Sequence, residues 1–249
     1  IINAIIEGNI LYEPSLFDRP ESQLFESGYW LSRNLATAVS VGRGQVLFIR
    51  DAGHQWVLRH YRRGGFIAKF NEDRYLWRNA EATRSFREWR LLAQLVELGL
   101  PVPVPVAARY VRELISYRAD LITREITGAR SLASLLKAEA LSTTQWQLIG
   151  RTLARFHTFG VRHADLNAHN IVFDHEQIIH VLDFDRGQIT KPDRQWIDRV
   201  LARLLRSLNK LKMQQGIHFA DDDWQYLLQA HNAQFNHVNS NWDNQRSIP

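Results

Sequence analysis

Between His163 and Asp185 the chain sets two polar clusters around two short apolar runs, and no other stretch constrains the fold as much. His163-Ala164-Asp165-Leu166-Asn167-Ala168-His169-Asn170 leads directly into Ile171-Val172-Phe173. A polar turn at His175-Glu176 follows, then Ile178-Ile179-His180-Val181-Leu182 and Asp183-Phe184-Asp185. Apolar runs of this length, bounded by turn residues, predict the two strands of a hairpin. An antiparallel hairpin returns the chain to its starting point, so Asn170 before the first strand and Asp183 after the second are expected side by side. The loop from Arg162 to Asn170 is where chemistry is expected.

The rest of the chain reads as strands first and helices later. Val46 to Arg50 and Trp56 to Tyr61 flank the turn signal Asp51-Ala52-Gly53, which predicts another hairpin. From Ala80 to Leu98, Phe86, Trp89, Leu92, Leu95 and Leu98 recur at helical spacing, and Gly99 with Pro101 supplies a stop. Pro101 to Pro105 cannot donate regularly to a ladder and is expected to be an extended connector into strands near 106–111 and 119–124. Ser142 with Gln145 forms a capping box for a helix ending at Gly160. A basic amphipathic helix is predicted over about Asp193 to Lys212, and the Asn-rich stretch from Asn232 to Pro249 reads as a frayed end. This order predicts an α+β fold in one domain, residues 1–249, with a small β-rich N-lobe at about 25–124 and a mainly helical C-lobe at about 130–235. A ligand is expected in the cleft between lobes.

Composition removes several function classes. Hydrophobic residues make up 45% of 249 positions, enough to bury a core, which excludes a disordered chain. Cysteine is absent, so disulfides, thiolate metal sites and cysteine nucleophiles are excluded together. No apolar run reaches the ~18 residues of a membrane span, and Asn3, Glu7, Gly8 and Asn9 interrupt the start, so neither a membrane-spanning protein nor a cleaved signal is expected. Residues 50–90 hold ten Arg or Lys against five acids, which accounts for the whole formal charge of +5. Such a region attracts phosphates of any origin.

An Asp and an Asn five positions apart, followed by Asp-Phe-Asp, resemble the catalytic loop and metal-binding motif of protein kinases. Phosphoryl transfer needs an acceptor for the attacking hydroxyl's proton and hard oxygens that hold a divalent ion on the triphosphate. On that reading Asp165 is the catalytic base, Asn170 and Asp183 hold Mg²⁺, and His163 braces the loop. ATP would be gripped by Gly42 and Gly44, whose missing β-carbons let backbone amides approach phosphate, and by Arg59, oriented by Glu88. Arg59 stands where kinases place a lysine, and its planar fork can bind two oxygens at once. Asn167 replaces a lysine common in that loop, and Arg186, Arg62 or Arg63 are candidates to supply the missing charge. His163, Asp165 and His169 lack the i, i+4 spacing of a helical metal site, which argues against a histidine-ligated metal.

The likeness narrows further. Val57-Leu58-Arg59-His60-Tyr61-Arg62-Arg63-Gly64-Gly65, Thr83-Arg84-Ser85-Phe86-Arg87-Glu88, Gly99-Leu100-Pro101-Val102-Pro103, the loop and Asp183-Phe184-Asp185-Arg186-Gly187 resemble the 3-deoxy-D-manno-octulosonic acid (Kdo) kinases of Gram-negative lipopolysaccharide assembly, over roughly residues 25–210. The resemblance implies a two-lobed kinase-like fold and ATP-dependent phosphorylation of the 4-hydroxyl of a Kdo residue on a lipid A precursor. It also implies a peripheral enzyme on the cytoplasmic face of the inner membrane, where basic residues would meet an anionic surface. Arg59 is then normal for the family. The residues alone leave open another small-molecule or protein kinase, or a nucleotide-binding pseudokinase. A nucleic-acid binder would rest on the basic region alone, and no nucleic acid is expected as partner. Oligomeric state has no sequence signal.

Overall fold

The computed structural model describes residues 2–16, 20–41, 44–62 and 73–246, without the side chains of 40, 41, 44, 45 and 238–246. The chain divides into two compact units, Ile1–Ile126 and Thr127–Pro249. The fold is α+β, with an antiparallel sheet in the first unit and mostly helices in the second. Among the described residues no helix is long and apolar enough to cross a membrane.

The first unit is an eight-stranded sheet. Its strands are β1 (Ile5–Glu7), β2 (Ile10–Tyr12), β3 (Ala36–Val41), β4 (Gly44–Asp51), β5 (His54–His60), β6 (Tyr75–Leu76), β7 (Pro105–Glu113) and β8 (Ser116–Arg124). Their order is β1-β2-β7-β8-β5-β4-β3, with β6 pairing on β8. The β4–β5 turn places Ala52 at φ 45° and Gly53 at φ 81°, and positive φ at both central residues is what a tight hairpin with the native strand twist requires. Alternate residues Leu47 and Ile49 of β4 and Trp56 and Leu58 of β5 are buried with Val106 and Ile122, against Phe25 and Trp30 from helical turns before β3. α1 (Ser27–Leu31) carries Trp30 into this core.

α2 (Arg84–Glu97) packs on β7 and β8 and buries Phe86, Trp89, Leu92 and Leu95. It starts later than the apolar spacing suggests, because Thr83 is the N-cap and its hydroxyl donates to the Ala80 carbonyl at 2.6 Å. It ends where Gly99, at φ 66°, lets Gly99 N–H reach the Val96 carbonyl and Leu100 N–H reach that of Leu95. Beneath the β7–β8–β5 register a buried polar ladder crosses the sheet. Asp120 accepts from Arg109 Nε at 3.0 Å and lies 2.6 Å from His60 Nδ1, while Arg109 Nη1 reaches Glu26 at 2.7 Å. Buried charges persist only when paired in this way.

The second unit contains β9 (Arg130–Ser131), α3 (Leu132–Ala138), α4 (Thr143–Thr158), β10 (Val161–Arg162), β11 (Ile171–Phe173), β12 (Ile179–Val181), β13 (Gln188–Ile189), α5 (Arg194–Gln215) and α6 (Asp221–Arg246). The Ser142–Gln145 capping box is present, and Trp146, Ile149, Leu153 and Phe156 form the buried face of α4. α5 is capped by Asp193, whose carboxylate accepts from Gln195 and Trp196 N–H, and it stops at Gly216, φ 63°. The frayed end expected from Asn232 is instead the second half of α6 up to Arg246. Trp224, Leu227, His231 and Phe235 recur at helical spacing and are buried, which anchors an otherwise Asn-rich sequence. α4 and α6 pass so closely at Gly150 that a β-carbon there would lie 2.2 Å from the Leu227 carbonyl oxygen.

The same helix pair buries two imidazoles. His157 Nδ1 and His231 Nε2 are 2.8 Å apart, so one donates and the other accepts. Burial above all, then His231 and His163, holds His157 well below the usual histidine range; burial likewise lowers His163 and His231. In the first unit the hydrogen bond to Asp120 raises His60. The signs are opposite. The three lowered histidines stabilise the folded unit above about pH 6.5, and that contribution is lost as pH falls and the unfolded chain binds protons first; His60 contributes fully below about pH 6.5 and loses its contribution as pH rises. Hydrogen exchange is therefore expected to show the second unit losing protection between about pH 7.5 and 5.5 while His60 adds stability to the first. Equal protection changes in both units would contradict this.

Candidate active site

The polar loop of the second unit is built around His163, which is 5% exposed. Its Nδ1 accepts from Asp165 N–H at 3.1 Å, and its Nε2–H donates to the Leu182 carbonyl at 2.9 Å. One neutral ring thus ties the start of the loop to the end of β12. Its lowered proton affinity suits that bonding, because the acceptor nitrogen must remain unprotonated. Asn170 closes the loop from the other side. Its Nδ2–H donates to the Asp165 carbonyl at 3.1 Å, and its own carbonyl accepts from Leu182 N–H at 2.8 Å, continuing the β11–β12 ladder. Asn167 adds a bond from Nδ2–H to the same Asp165 carbonyl at 2.9 Å.

The backbone of Asp165 is therefore fixed while its carboxylate, with 67% of the side chain exposed, points to solvent and meets Arg203 Nη1 of α5 at 3.1 Å. An ion pair this exposed is worth at most ~1 kcal/mol, so the carboxylate is free to exchange partners. Asp183 follows Leu182 directly and sits at φ 62°, a left-handed conformation that Asp tolerates better than most residues. The next side chain, Phe184, is 1% exposed, stacks on Phe156 of α4 at 5.9 Å and meets the edge of His163 at 4.9 Å. The turn is thereby locked into the helical core. Asp165 and Asp183 both lie near enough to His163 to favour its charged form, although burial outweighs them.

In the first unit β5 and α2 bring Arg59 and Glu88 together. Arg59 Nη2 lies 2.5 Å from Glu88 Oε2, with the Glu88 side chain 3% exposed and that of Arg59 26%. The Tyr61 hydroxyl donates to the same carboxylate oxygen at 2.5 Å, and the guanidinium lies 4.9 Å from the Tyr61 ring centre. The sequence reading passed over Arg203 as a site neighbour, and it quoted Tyr61 in the string from Val57 to Gly65 without pairing it with Glu88. Tyr61 had a signal, since it stands two positions after Arg59 on a strand and so shares its face. Arg203 had none, because only folding sets α5 beside the loop. Gly44 opens β4, whereas Gly42 lies outside the described residues, as do Arg63, Gly64 and Gly65.

The chain as a whole is similar to known proteins. Residues 29–231 match the model of the lipopolysaccharide kinase (Kdo/WaaP) family. The chain is 42% identical over 226 residues, 90% of each protein, to a 3-deoxy-D-manno-octulosonic acid kinase of Xylella fastidiosa (strain 9a5c). Identity is 43% over 229 residues, covering 92% of this chain and 91% of the relative, to one of Stenotrophomonas maltophilia (strain R551-3). It is 39% over 228 residues, covering 92% and 96%, to one of Vibrio vulnificus (strain YJ016). Among solved structures, WaaP in complex with acyl carrier protein superimposes with a TM-score of 0.54 at 14% identity, over 86% of this chain and 87% of that one, a likeness of fold.

Proposed function

We infer the reaction from membership: this chain belongs to the lipopolysaccharide kinase (Kdo/WaaP) family, and is a phosphotransferase that acts on a hydroxyl group. It phosphorylates a Kdo residue, at the 4-hydroxyl of the sugar carried on a lipid A precursor, with ATP as donor. The attacking hydroxyl forms a bond to the γ-phosphorus as the bond to ADP breaks, and its proton passes to Asp165, giving a sugar phosphate monoester. What supports this reading most is the grouping within the second unit of an exposed Asp165 carboxylate, the Asn170 amide and the Asp183 turn, all anchored by His163 and Leu182.

Asn170 and Asp183 fit a magnesium ion. Asn170 uses its amide N–H within the chain, and among the described residues its Oδ1 accepts no hydrogen bond. One neutral oxygen with a neighbouring carboxylate is the kind of set magnesium takes when nucleotide phosphates and water supply the rest. Bound there, the ion would neutralise charge developing on the phosphates. In this reading Arg59 grips the α/β-phosphates with Glu88 holding its fork, the backbone amides of Gly42 and Gly44 are assigned to the phosphates, and His163 keeps Asp165 in place. The enzyme works peripherally at the cytoplasmic face of the inner membrane, on a lipid-linked acceptor. Incubation with ATP, Mg²⁺ and Kdo-bearing lipid A precursor is expected to yield one phosphate per Kdo at the 4-position, located by mass spectrometry and NMR. Absence of transfer to that acceptor, alongside transfer to another alcohol, would replace the substrate assignment.

A further inference from the structure

A pocket of about 270 Å³ lies wholly within the second unit, close to the lower end of the ~300–1,000 Å³ usual for small-molecule sites. Arg162 from β10, Arg186 from the turn after Asp185, and Arg199 and Arg203 from α5 line it, with Trp196 and Val200 as an apolar wall. Residues 196, 199, 200 and 203 fall on one face of α5 because they are spaced by three and four. Among the described residues, none of Arg162, Arg186 and Arg199 has a carboxylate partner, and Arg203 is held only by the exposed pair with Asp165. Four guanidiniums around one small volume repel each other unless an anion enters. Arg186 is also held at φ 61°, a backbone state that costs energy for a side chain of this kind, and Gly187 N–H closes the turn on the Phe184 carbonyl at 2.7 Å.

We propose that this pocket is the acceptor site and that its arginines bind an anionic oxygen group of the acceptor. The inference rests on the kinase reading above and adds the determinant of substrate choice. A general base must touch the hydroxyl it deprotonates. Asp165, Asn170 and Asp183 do not themselves line the pocket, but its wall includes His163 and Ala164, immediately before Asp165, and Arg203, whose guanidinium holds the Asp165 carboxylate at the pocket's edge. The arginines therefore sit on the acceptor's side of the base. The acceptor's name supplies the matching group: an octulosonic acid carries a carboxylate, which a planar guanidinium fork can bind through two parallel bonds. Phosphates on the lipid A portion offer the same chemistry from a second source. Arg203 would then exchange its contact with Asp165 for one to the substrate, releasing the base as the acceptor arrives. This gives Arg199 and Arg203, two of the six basic residues of α5, a role that needs no lipid surface.

The test is steady-state kinetics of Arg199→Gln and Arg162→Gln/Arg199→Gln enzyme, with three acceptors: the parent Kdo-bearing precursor, its Kdo methyl ester, and a precursor stripped of lipid A phosphates. Acceptor KM is expected to rise on the order of 10- to 100-fold in the variants while the KM for ATP stays constant. If the carboxylate is the ligand, the wild-type enzyme loses as much on the methyl ester, and the variants no longer distinguish ester from acid. If phosphate is the ligand, the stripped precursor shows that pattern instead. Variants with unchanged acceptor KM, or a wild-type enzyme indifferent to both acceptor changes, would overturn the site. Should the wild-type enzyme transfer no phosphate to any Kdo acceptor, the kinase assignment fails separately. Free Kdo is then titrated against tryptophan fluorescence without ATP, with Trp196→Phe as reference: saturable, Arg199-dependent quenching supports the pocket, and its absence overturns it.

Discussion

Asp165→Asn is expected to lower kcat by about 10²–10⁴-fold, the usual contribution of a general base, while the melting temperature stays at the wild-type value. The two halves of this expectation have separate physical origins. The loop is held by bonds to the backbone of Asp165: His163 accepts its N–H, and Asn167 and Asn170 donate to its carbonyl. None of these involves the carboxylate, which is mostly exposed and, among the described residues, bonds to Arg203 alone. Asparagine keeps the size and an oxygen for Arg203 but cannot take a proton, so the chemical step loses its base and the fold loses at most a surface ion pair. Rapid-quench measurement of a single turnover isolates that step from product release. A single-turnover rate within roughly threefold of wild type would remove Asp165 from the base role, because such a loss is too small for general-base catalysis. A melting point far below wild type would mean that the carboxylate has a structural partner.

The elements legible in the sequence are those that local rules determine. The capping box at Ser142 and Gln145, the stop at Gly99 and the turn at Ala52-Gly53 each satisfy backbone groups of residues a few positions away, and such signals survive any tertiary context. The β11–β12 hairpin follows from two short apolar runs, and its register alone sets Asn170 against Leu182. Other features depend on partners far along the chain. β1 and β2 are three-residue strands, β2 pairing with β7 about a hundred positions away and β1 with β2, and no run that short signals a strand by itself. The His60–Asp120–Arg109 ladder needs three strands in register before its charges meet. In α6 four buried side chains outweigh an Asn-rich composition, and only the packing of α4 reveals that they are enough. The arginine pocket is the extreme case, because β10, β13, the turn after Asp185 and α5 all contribute to it.

Arg59→Met is expected to destabilise the first unit by about 2–4 kcal/mol, and to do so more than Glu88→Gln, although both remove the same ion pair. The asymmetry follows from exposure. Glu88 has 3% of its side chain in contact with solvent, so loss of Arg59 leaves a carboxylate that keeps its Tyr61 bond but loses its cation out of reach of water; Arg59 is 26% exposed and can turn outward when Glu88 is neutralised. Removing one partner of a buried pair strands the other charge, and the cost falls on whichever side is drier. The double variant Arg59→Met/Glu88→Gln should therefore recover part of the Arg59→Met loss, with a coupling of about 1–3 kcal/mol in a double-mutant cycle read by urea unfolding. Additive losses would mean that the pair contributes little. Arg59→Lys separates the structural role from the catalytic one. Its ammonium can still approach Glu88, so stability should fall less than in Arg59→Met. It has no planar fork to hold a carboxylate and a phosphate together or to lie over Tyr61, so the KM for ATP should rise. Wild-type KM for ATP in that variant would assign Arg59 to the fold and leave the nucleotide to other groups.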